Sequence, residues 1–396
     1  FLMNMKTFVI ITHVRLVLVF LFYGVGTIVQ AQDKNPLANE KYDGPYLFYK
    51  SDSVKILSVQ FGNNEIFLLE DSFPAHKLES RKIKVKPNAS MPAFQVKLFK
   101  YDTDSTYLPT PGKIFLVSDI EGNLKDFVDI LKVAGVINKK YEWTFGANYL
   151  VINGDLFDRG NDVAAFLWLC YKLDGESRLS GGKVLINLGN HDIMNLRGNT
   201  NYVIDKYLYL AHALGVNYKT FYDQNTELGR WLRTKNTITV IDSTAFVHAG
   251  LSYELTFANA DFELINNSVR ENIDIPDSLM ENLPKYLFGN FGPFWYRGLV
   301  FNNLKFRPIS EEKLNKVLDY FKVKRIIVGH SIVPEIVGLH SGKVIAVDVN
   351  HYENRENKRA RGLLITNGKY YTVNDDGNIN ELKIVDGFNQ KITEQY

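Results

Sequence analysis

The sequence predicts an α/β protein: a layered domain in which strands alternate with helices and the polar groups gather at strand ends. Three observations carry that expectation. From Lys113 onward, short apolar runs alternate with stretches of helical periodicity. Five polar clusters each follow directly on one of those runs. The region from about residue 32 to 111 shows period-two alternation instead, so it predicts a small β-rich module ahead of the main domain.

The elements follow in order. In the module, Tyr46–Tyr49, Val54–Val59 and Ile83–Lys86 read as strands with turn residues between them. The module's expected part is packing, a dimer contact or shielding a cleft. After Pro111-Gly112, Lys113–Ser118 (KIFLVS) is nearly all apolar, as a strand buried on both faces requires. Leu124, Phe127, Ile130, Leu131 and Ala134 then recur at helical spacing until Gly135. Tyr149–Ile152 is the second strand, Val163–Leu173 its helix, Val184–Leu188 the third strand and Tyr202–Leu214 a further helix. In such βαβαβ order, sites form at the strand C-termini. Thr237–Ile241 and Ala245–His248 flank an Asp242-Ser243 turn and predict a hairpin. Residues 254–322 are polar and helical and predict a cap or insertion. Arg325–Val328, Lys343–Val349, Gly362–Thr366 and Lys369–Val373 are expected to close a second sheet, with Asn367-Gly368 as a hairpin turn. The main domain therefore spans 112–375, and a turn at Asp375–Asn378 leads into a tail, 376–396.

Composition narrows the class. Lys and Arg number 46 against 44 Asp and Glu, and the excess is Lys6 and Arg15 near the N-terminus, so the rest of the chain is neutral. Neutrality gives no expectation of a nucleic-acid or anionic-membrane partner. The one cysteine, Cys170, excludes an intrachain disulfide and a cysteine-based zinc cage. Residues 1–31 read as a signal peptide: Lys6, then the apolar Val14–Val29, then Val29-Gln30-Ala31 as a small-x-small cleavage pattern. Cleavage near Ala31 implies export, with a bacterial periplasm expected and no stable membrane insertion afterwards. An uncleaved anchor is the alternative, although the apolar run falls short of the ~20 residues that spanning needs.

The five clusters are Asp119-Ile120-Glu121, Gly154-Asp155-Leu156-Phe157-Asp158-Arg159-Gly160, Gly189-Asn190-His191-Asp192, Val247-His248-Ala249-Gly250 and Gly329-His330-Ser331. Carboxylates, an amide and imidazoles at one sheet edge match a site for two divalent cations. In GDxxDRG and GNHD the chain resembles the calcineurin-like metallophosphoesterases over about residues 113–350. DRG points to their phosphoprotein-phosphatase branch. Trp295-Tyr296-Arg297-Gly298 and Arg233–Asn236 resemble the Shewanella-like bacterial phosphatases.

That resemblance implies a four-layer α/β/β/α sandwich and a reaction. Asp155 would bridge two metals, Asp119 would complete one shell, and Asn190, His248 and His330 would hold the other ion. His191 would be the general acid, oriented by Asp158. Arg159 and Arg297 would clamp phosphate, and a metal-bridging hydroxide would attack phosphorus. The family's His two residues after the first Asp is Glu121 here. Glu121 either ligates through oxygen, favouring Mn²⁺ or Mg²⁺ over Zn²⁺, or leaves the first site weak. Mn²⁺ is the expected ion, with Fe, Zn²⁺ and Mg²⁺ as the other candidates. The implied substrate is a phosphate monoester, on a small molecule or a phosphoprotein. Two alternatives stay open: hydrolysis of a phosphodiester or nucleotide pyrophosphate, and a periplasmic protein that binds metal or phosphate at a degenerate site. Oligomeric state is not legible.

Outside these clusters the expectations are plain. His212 packs within its helix, His340 and His351 are expected as solvated loop residues, with a place at the border of the cleft as the alternative, and Lys358-Arg359-Ala360-Arg361 is a solvated turn. Arg197 either contacts substrate or makes a surface salt bridge. Asp348 stands behind the ligands.

Overall fold

The computed structural model describes residues 8–11, 40–62, 65–88 and 91–388. The expected signal-peptide cleavage site and residues 389–396 of the tail lie outside the described residues. Strand β1 (Phe8–Ile11) runs antiparallel to β4, and β2 (Tyr42–Lys50), β3 (Ser53–Gly62) and β4 (Glu65–Pro74) complete a sheet ordered β1-β4-β3-β2. A hairpin of β5 (Lys82–Val85) and β6 (Phe94–Lys97) follows. Strand β7 (Tyr107–Leu108) falls inside the expected module and pairs parallel with Val240-Ile241, far along the main domain.

Strand β8 (Lys113–Val117), helix α1 (Leu124–Val133), β9 (Tyr149–Ile152), α2 (Val163–Leu179) and β10 (Lys183–Ile186) form the expected parallel unit. Three helices follow: α3 (Asn190–Arg197), α4 (Asp205–Ala213) and α5 (Glu227–Leu232). Helix α3 opens at Asn190 itself, where the sequence showed only a polar cluster. Strands β11 (Ile238–Ile241) and β12 (Thr244–Val247) are the expected hairpin. The stretch that follows contains α6 (Phe262–Asn272), α7 (Asn282–Leu287) and α8 (Glu311–Phe321). Strands β13 (Arg325–Val328), β14 (Val337–Leu339) and β15 (Val344–Ala346) extend the second sheet, ordered β14-β15-β13-β12-β11-β7.

One expectation fails here. After α9 (His351–Glu356) the chain returns to the first sheet, where β16 (Gly362–Thr366) lies antiparallel to β8. Strands β17 (Lys369–Val373) and β18 (Ile379–Glu381) then give the order β10-β9-β8-β16-β17-β18. Gly362–Thr366 is apolar enough for either sheet; Leu363 and Ile365 are buried and the Gly362 Cα leaves room for the Phe115 ring.

The two six-stranded sheets face each other, tied by the Asn153 amide donating to the carbonyls of Val247 (2.9 Å) and Ile327 (3.4 Å). Helix α2 is apolar on every side over residues 163–171, and every residue from Val163 to Asp174 is buried. A helix of that kind needs cover on both sides. It is covered by the first sheet and by β2, where Trp168 Nε1 donates to the Pro45 carbonyl at 2.7 Å. Packing is thus one role of the N-terminal module. Among the described residues, no helix is long and apolar enough to cross a membrane.

Candidate active site

The polar clusters converge because each leaves a strand at the same edge of the paired sheets. Asp119 and Glu121 follow β8, Asp155, Asp158 and Arg159 follow β9, and Asn190 and His191 begin α3 after β10. His248 follows β12 and His330 follows β13, while Arg297 comes from the loop between α7 and α8. A cleft of about 990 Å³ is lined by Asp119, Glu121, Asp155, Arg159, His191, Arg297 and His330. Asp158, Asn190 and His248 are buried beneath its floor.

Close backbone approach makes this convergence possible. Gly154 sits at φ +92°, and a Cβ there would lie 2.4 Å from His248 Nδ1. At Gly189 a Cβ would lie 2.2 Å from Asp155 Oδ1. Asp119, Glu121, Asp155, Asp158, Arg159 and His330 all have φ between +50° and +74°. Such conformations cost about 1–3 kcal/mol each and persist only where surrounding structure enforces them.

Several features fit a pair of divalent cations. Ligand atoms of Asp155, His248 and His330 lie within 4.8 Å of one another, as do those of Glu121, Asp155 and His191, so Asp155 is common to both groups. The His248 Nδ1 stands 2.9 Å from the Asn153 carbonyl, which only accepts, so Nδ1 carries the hydrogen. In the neutral ring that leaves the Nε2 lone pair facing Asn190 Oδ1 at 2.9 Å and Asp155 Oδ1 at 3.2 Å. Three acceptors converging on one point call for a cation. Burial opposes a charged His248, yet Asp155, its hydrogen bond and Asp119 raise the imidazole to about 10. The field that draws a proton to Nε2 attracts a divalent ion in the same way. His330 Nε2 is buried without a hydrogen-bond partner, and burial, with the Arg297 and His248 charges, holds its pKa well below the usual value. Its lone pair is therefore available.

Carboxylate electrostatics point the same way. Burial pushes Asp155 up, but the His248, His191 and His330 rings outweigh it and lower its pKa. Asp119 is pushed up to about 6 by burial, in spite of His248 and with the Asp155 charge adding to the rise. Asp119 accepts the His330 backbone N–H at 3.2 Å and stands outside both ligand groups. Glu121 forms an ion pair with Arg159, so one carboxylate reaches both the guanidinium and the Asp155–His191 group.

His191 Nδ1 lies 2.6 Å from Asp158 Oδ2, and Asn195 Nδ2 donates to Asp158 Oδ1 at 2.9 Å. Burial lowers the imidazole pKa, but the Asp158 hydrogen bond and the Asp155 charge turn the net shift upward. The ring of Tyr202 stands edge-on to His191, centroids 4.9 Å apart, and 5.5 Å from the Arg159 guanidinium carbon. Arg297 donates to the His330 carbonyl.

Two supporting residues carry no role in the sequence reading. Asp192 accepts the backbone N–H of Gly189 (2.7 Å), Leu156 (2.8 Å), Asp155 (3.1 Å) and Phe157 (3.3 Å), pinning the loop that carries Asp155. Asn187 donates to Asn153 Oδ1 at 2.9 Å and so orients the His248 partner. Only the GNHD string hinted at Asp192.

Some expectations need correction. His212 is exposed on α4. His340 is buried and its Nε2 meets the Leu299 carbonyl at 3.1 Å. His351 is buried at the cleft wall, with Nε2 2.7 Å from the Ser118 carbonyl, and burial lowers its pKa to about 4. Arg361 is fully buried and gripped by Asp375, with Nε 2.7 Å from Oδ2, because the turn folds onto α1, where the guanidinium joins Arg355 beside Asp126. Of the two expectations for Arg197 the salt bridge holds: it pairs with Asp277 and does not line the cleft. Asp348 is buried at the cleft wall, and burial with the Asp119 and Asp155 charges holds its carboxyl well above the usual range.

Residues 112–334 match the family model described as calcineurin-like phosphoesterase. The chain belongs to the calcineurin-like phosphoesterases. Members hydrolyse phosphoesters with divalent metal ions, and the donors gathered here fit that requirement. The chain is 32% identical over 251 residues to an uncharacterized protein of Schizosaccharomyces pombe, covering 60% of this chain and 73% of the relative. It is 28% identical over 297 residues to the Shewanella-like protein phosphatase 2 of Arabidopsis thaliana, covering 62% and 72%. The crystal structure of a cold-active protein-tyrosine phosphatase from a psychrophilic Shewanella species superposes with a TM-score of 0.75 at 29% identity. That superposition covers 87% of this chain and 100% of the neighbour, so the metallophosphoesterase sandwich and the segment before it are both shared.

Proposed function

We propose that this calcineurin-like phosphoesterase hydrolyses phosphate monoesters, with an aryl phosphate such as phosphotyrosine as its substrate class. The observation that carries the reading is the His191–Asp158 pair at 2.6 Å, buried beside Asp155 and opening on a cleft with two arginines. A protein that only binds phosphate has no use for an imidazole held in one tautomer with a raised pKa. The similarity to a protein-tyrosine phosphatase supports the aryl choice, and so does Tyr202 beside His191, where an aromatic leaving group can stack.

Asp155, Asp119 and Glu121 would hold one ion, and Asp155, Asn190, His248 and His330 the other. When bound, the ions supply Lewis acidity toward phosphoryl oxygens and make a water acidic enough to attack phosphorus. The chain's own groups do the rest. Arg159 leaves Glu121 to take phosphate oxygens in its planar fork, and Arg297 clamps from the opposite loop. His191 Nε2 gives its proton to the departing oxygen, and Asp158 keeps Nδ1 protonated and the ring in place. Mn²⁺ is the proposed ion, since Glu121 makes the first site richer in hard oxygen donors.

Turnover of p-nitrophenyl phosphate by chelator-stripped, Mn²⁺-reloaded protein tests the reading, with Asp155→Asn as the control. Metal-dependent turnover that disappears in the variant supports it. A folded, metal-loaded protein without turnover refutes it. We also propose export: Lys6, the Val14–Val29 run and the Val29-Gln30-Ala31 pattern support it, and N-terminal sequencing that finds no start near Gln32 refutes it.

A further inference from the structure

The loop bearing Asp158 and Arg159 does not hold itself. Asp158 and Arg159 are consecutive residues at φ +74° and +52°, and the loop presses on the other site loop so closely that a Cβ at Gly160 would lie 2.3 Å from the Glu121 carbonyl oxygen. Something outside the loop must keep two strained residues in place.

His191 and Asn195 hold the Asp158 carboxylate, and on the Arg159 side the loop is held by α4, which is gripped in turn by the N-terminal segment ahead of residues 112–334. Lys206 on α4 is buried, and its Nζ donates to the Asn161 carbonyl at 2.6 Å. The same ammonium is held by Glu40 Oε2 at 3.0 Å and Asp43 Oδ2 at 3.5 Å, both buried. Asn161 follows Arg159 by two residues. Its carbonyl also accepts from Tyr207 Oη at 3.0 Å, and Tyr207 Oη accepts the Val163 N–H at 2.9 Å. A second tie runs from the backbone N–H of Asn88 to Asp162 Oδ1 at 2.6 Å. Opening the Lys206 pairs would leave uncompensated buried charge, so they are costly to break.

We propose that the segment ahead of the phosphoesterase domain is a positioning element of the active site, in which Lys206, gripped by Glu40 and Asp43, sets through the Asn161 carbonyl where Arg159 stands. The proposal rests on the reading of Arg159 as a phosphate ligand. A displaced arginine that loses one charge-assisted hydrogen bond to phosphate weakens binding by about 10-fold.

The test uses the full Mn²⁺-loaded chain and inorganic phosphate as probe, measured by calorimetry, beside kcat and KM for p-nitrophenyl phosphate. Lys206→Met is expected to raise the phosphate Kd and KM by about 10-fold while kcat changes less. In an Arg159→Ala background the same change should move phosphate affinity by less than about twofold, because the coupling runs through that residue. Lys235→Met is the control, since its buried ammonium pairs with Asp104 and Asp174, each at 3.1 Å, away from the loop; it should lower Tm without moving phosphate affinity. If Lys206→Met does not fold, the paired change Glu40→Gln and Asp43→Asn gives the same readouts. Unchanged affinity in the Lys206 and acid variants, an undiminished effect in the Arg159→Ala background, or no phosphate binding by the parent overturns the proposal. Parent protein that binds phosphate without turnover refutes the phosphatase reading, while the affinity comparison still decides the positioning role.

Discussion

Replacing Asp158 by Asn separates the general-acid role of His191 from a merely structural one. The two side chains are 2.6 Å apart and almost completely buried, so solvent screens them little. Charge centres about 4 Å apart at an effective dielectric of about 20 attract by about 4 kcal/mol, which is the ceiling on what the imidazolium can lose. Asparagine can still accept from Nδ1 through its oxygen but then turns its NH2 toward the Asn195 Nδ2 donor, so about 2–3 kcal/mol of transition-state stabilisation should go, or about 30- to 150-fold in rate. The loss should depend on the leaving group. With phenyl phosphate, whose oxygen needs a proton as it departs, kcat should fall by about 100-fold. With p-nitrophenyl phosphate, whose leaving group is stable as an anion, it should fall by about fivefold or less. The pH profile gives a second readout. His191 is the proton donor and its pKa is raised, so activity should hold above the ordinary imidazole pKa and decline as pH rises through the shifted value. Asn should move that decline to lower pH. Equal losses on both substrates with an unmoved alkaline limb would refute the reasoning.

Further expectations are more direct. Elemental analysis should find about two ions per chain in the parent and fewer than one in Asp155→Asn, because that carboxylate is common to both ligand groups. Glu121→His should shift metal preference from Mn²⁺ toward Zn²⁺ in competition dialysis, and an unchanged preference would show that Glu121 is not a ligand. Arg361→Met should cost about 3 kcal/mol in urea unfolding by taking from Asp375 its buried partner, Asp126 keeping Arg355, with kcat unchanged. Gly154→Ala should lose metal and turnover together, because the added methyl strikes the His248 ring.

The site was legible to the extent that its chemistry is local. Asp119, Asp155, Asn190, His248 and His330 each follow an apolar run, and a strand end is a position that sequence marks well. What escaped depends on partners remote in the chain. His351 is buried because its imidazole meets the Ser118 carbonyl, 233 residues earlier, and nothing around His351 announces that. Arg361 looked like one more solvated cation because Asp126, its reason for burial, lies on α1. Strand β16 was assigned to the wrong sheet since an apolar run records that it is covered and not by what. The length of α2 was underestimated for a related reason: its polar end, Asp174–Arg178, is stabilised by ion pairing at 2.9 Å, not by apolar spacing.

The burial of α2 on every side carries a consequence for how this chain behaves as a material object. A helix shared as the floor of one layer and the ceiling of another has no owner, and neither layer can open without wetting Trp168, Phe166 and Tyr171. The boundary near residue 111 is then a seam in sequence and not in mechanics. Heat or denaturant should meet a single cooperative transition spanning residues 42 to 382, and a protease should find no lasting cut between the leading sheet and the catalytic sandwich. Shortening the chain to its recognisable family region would strip the cover from α2 and leave an aggregating fragment instead of a minimal enzyme.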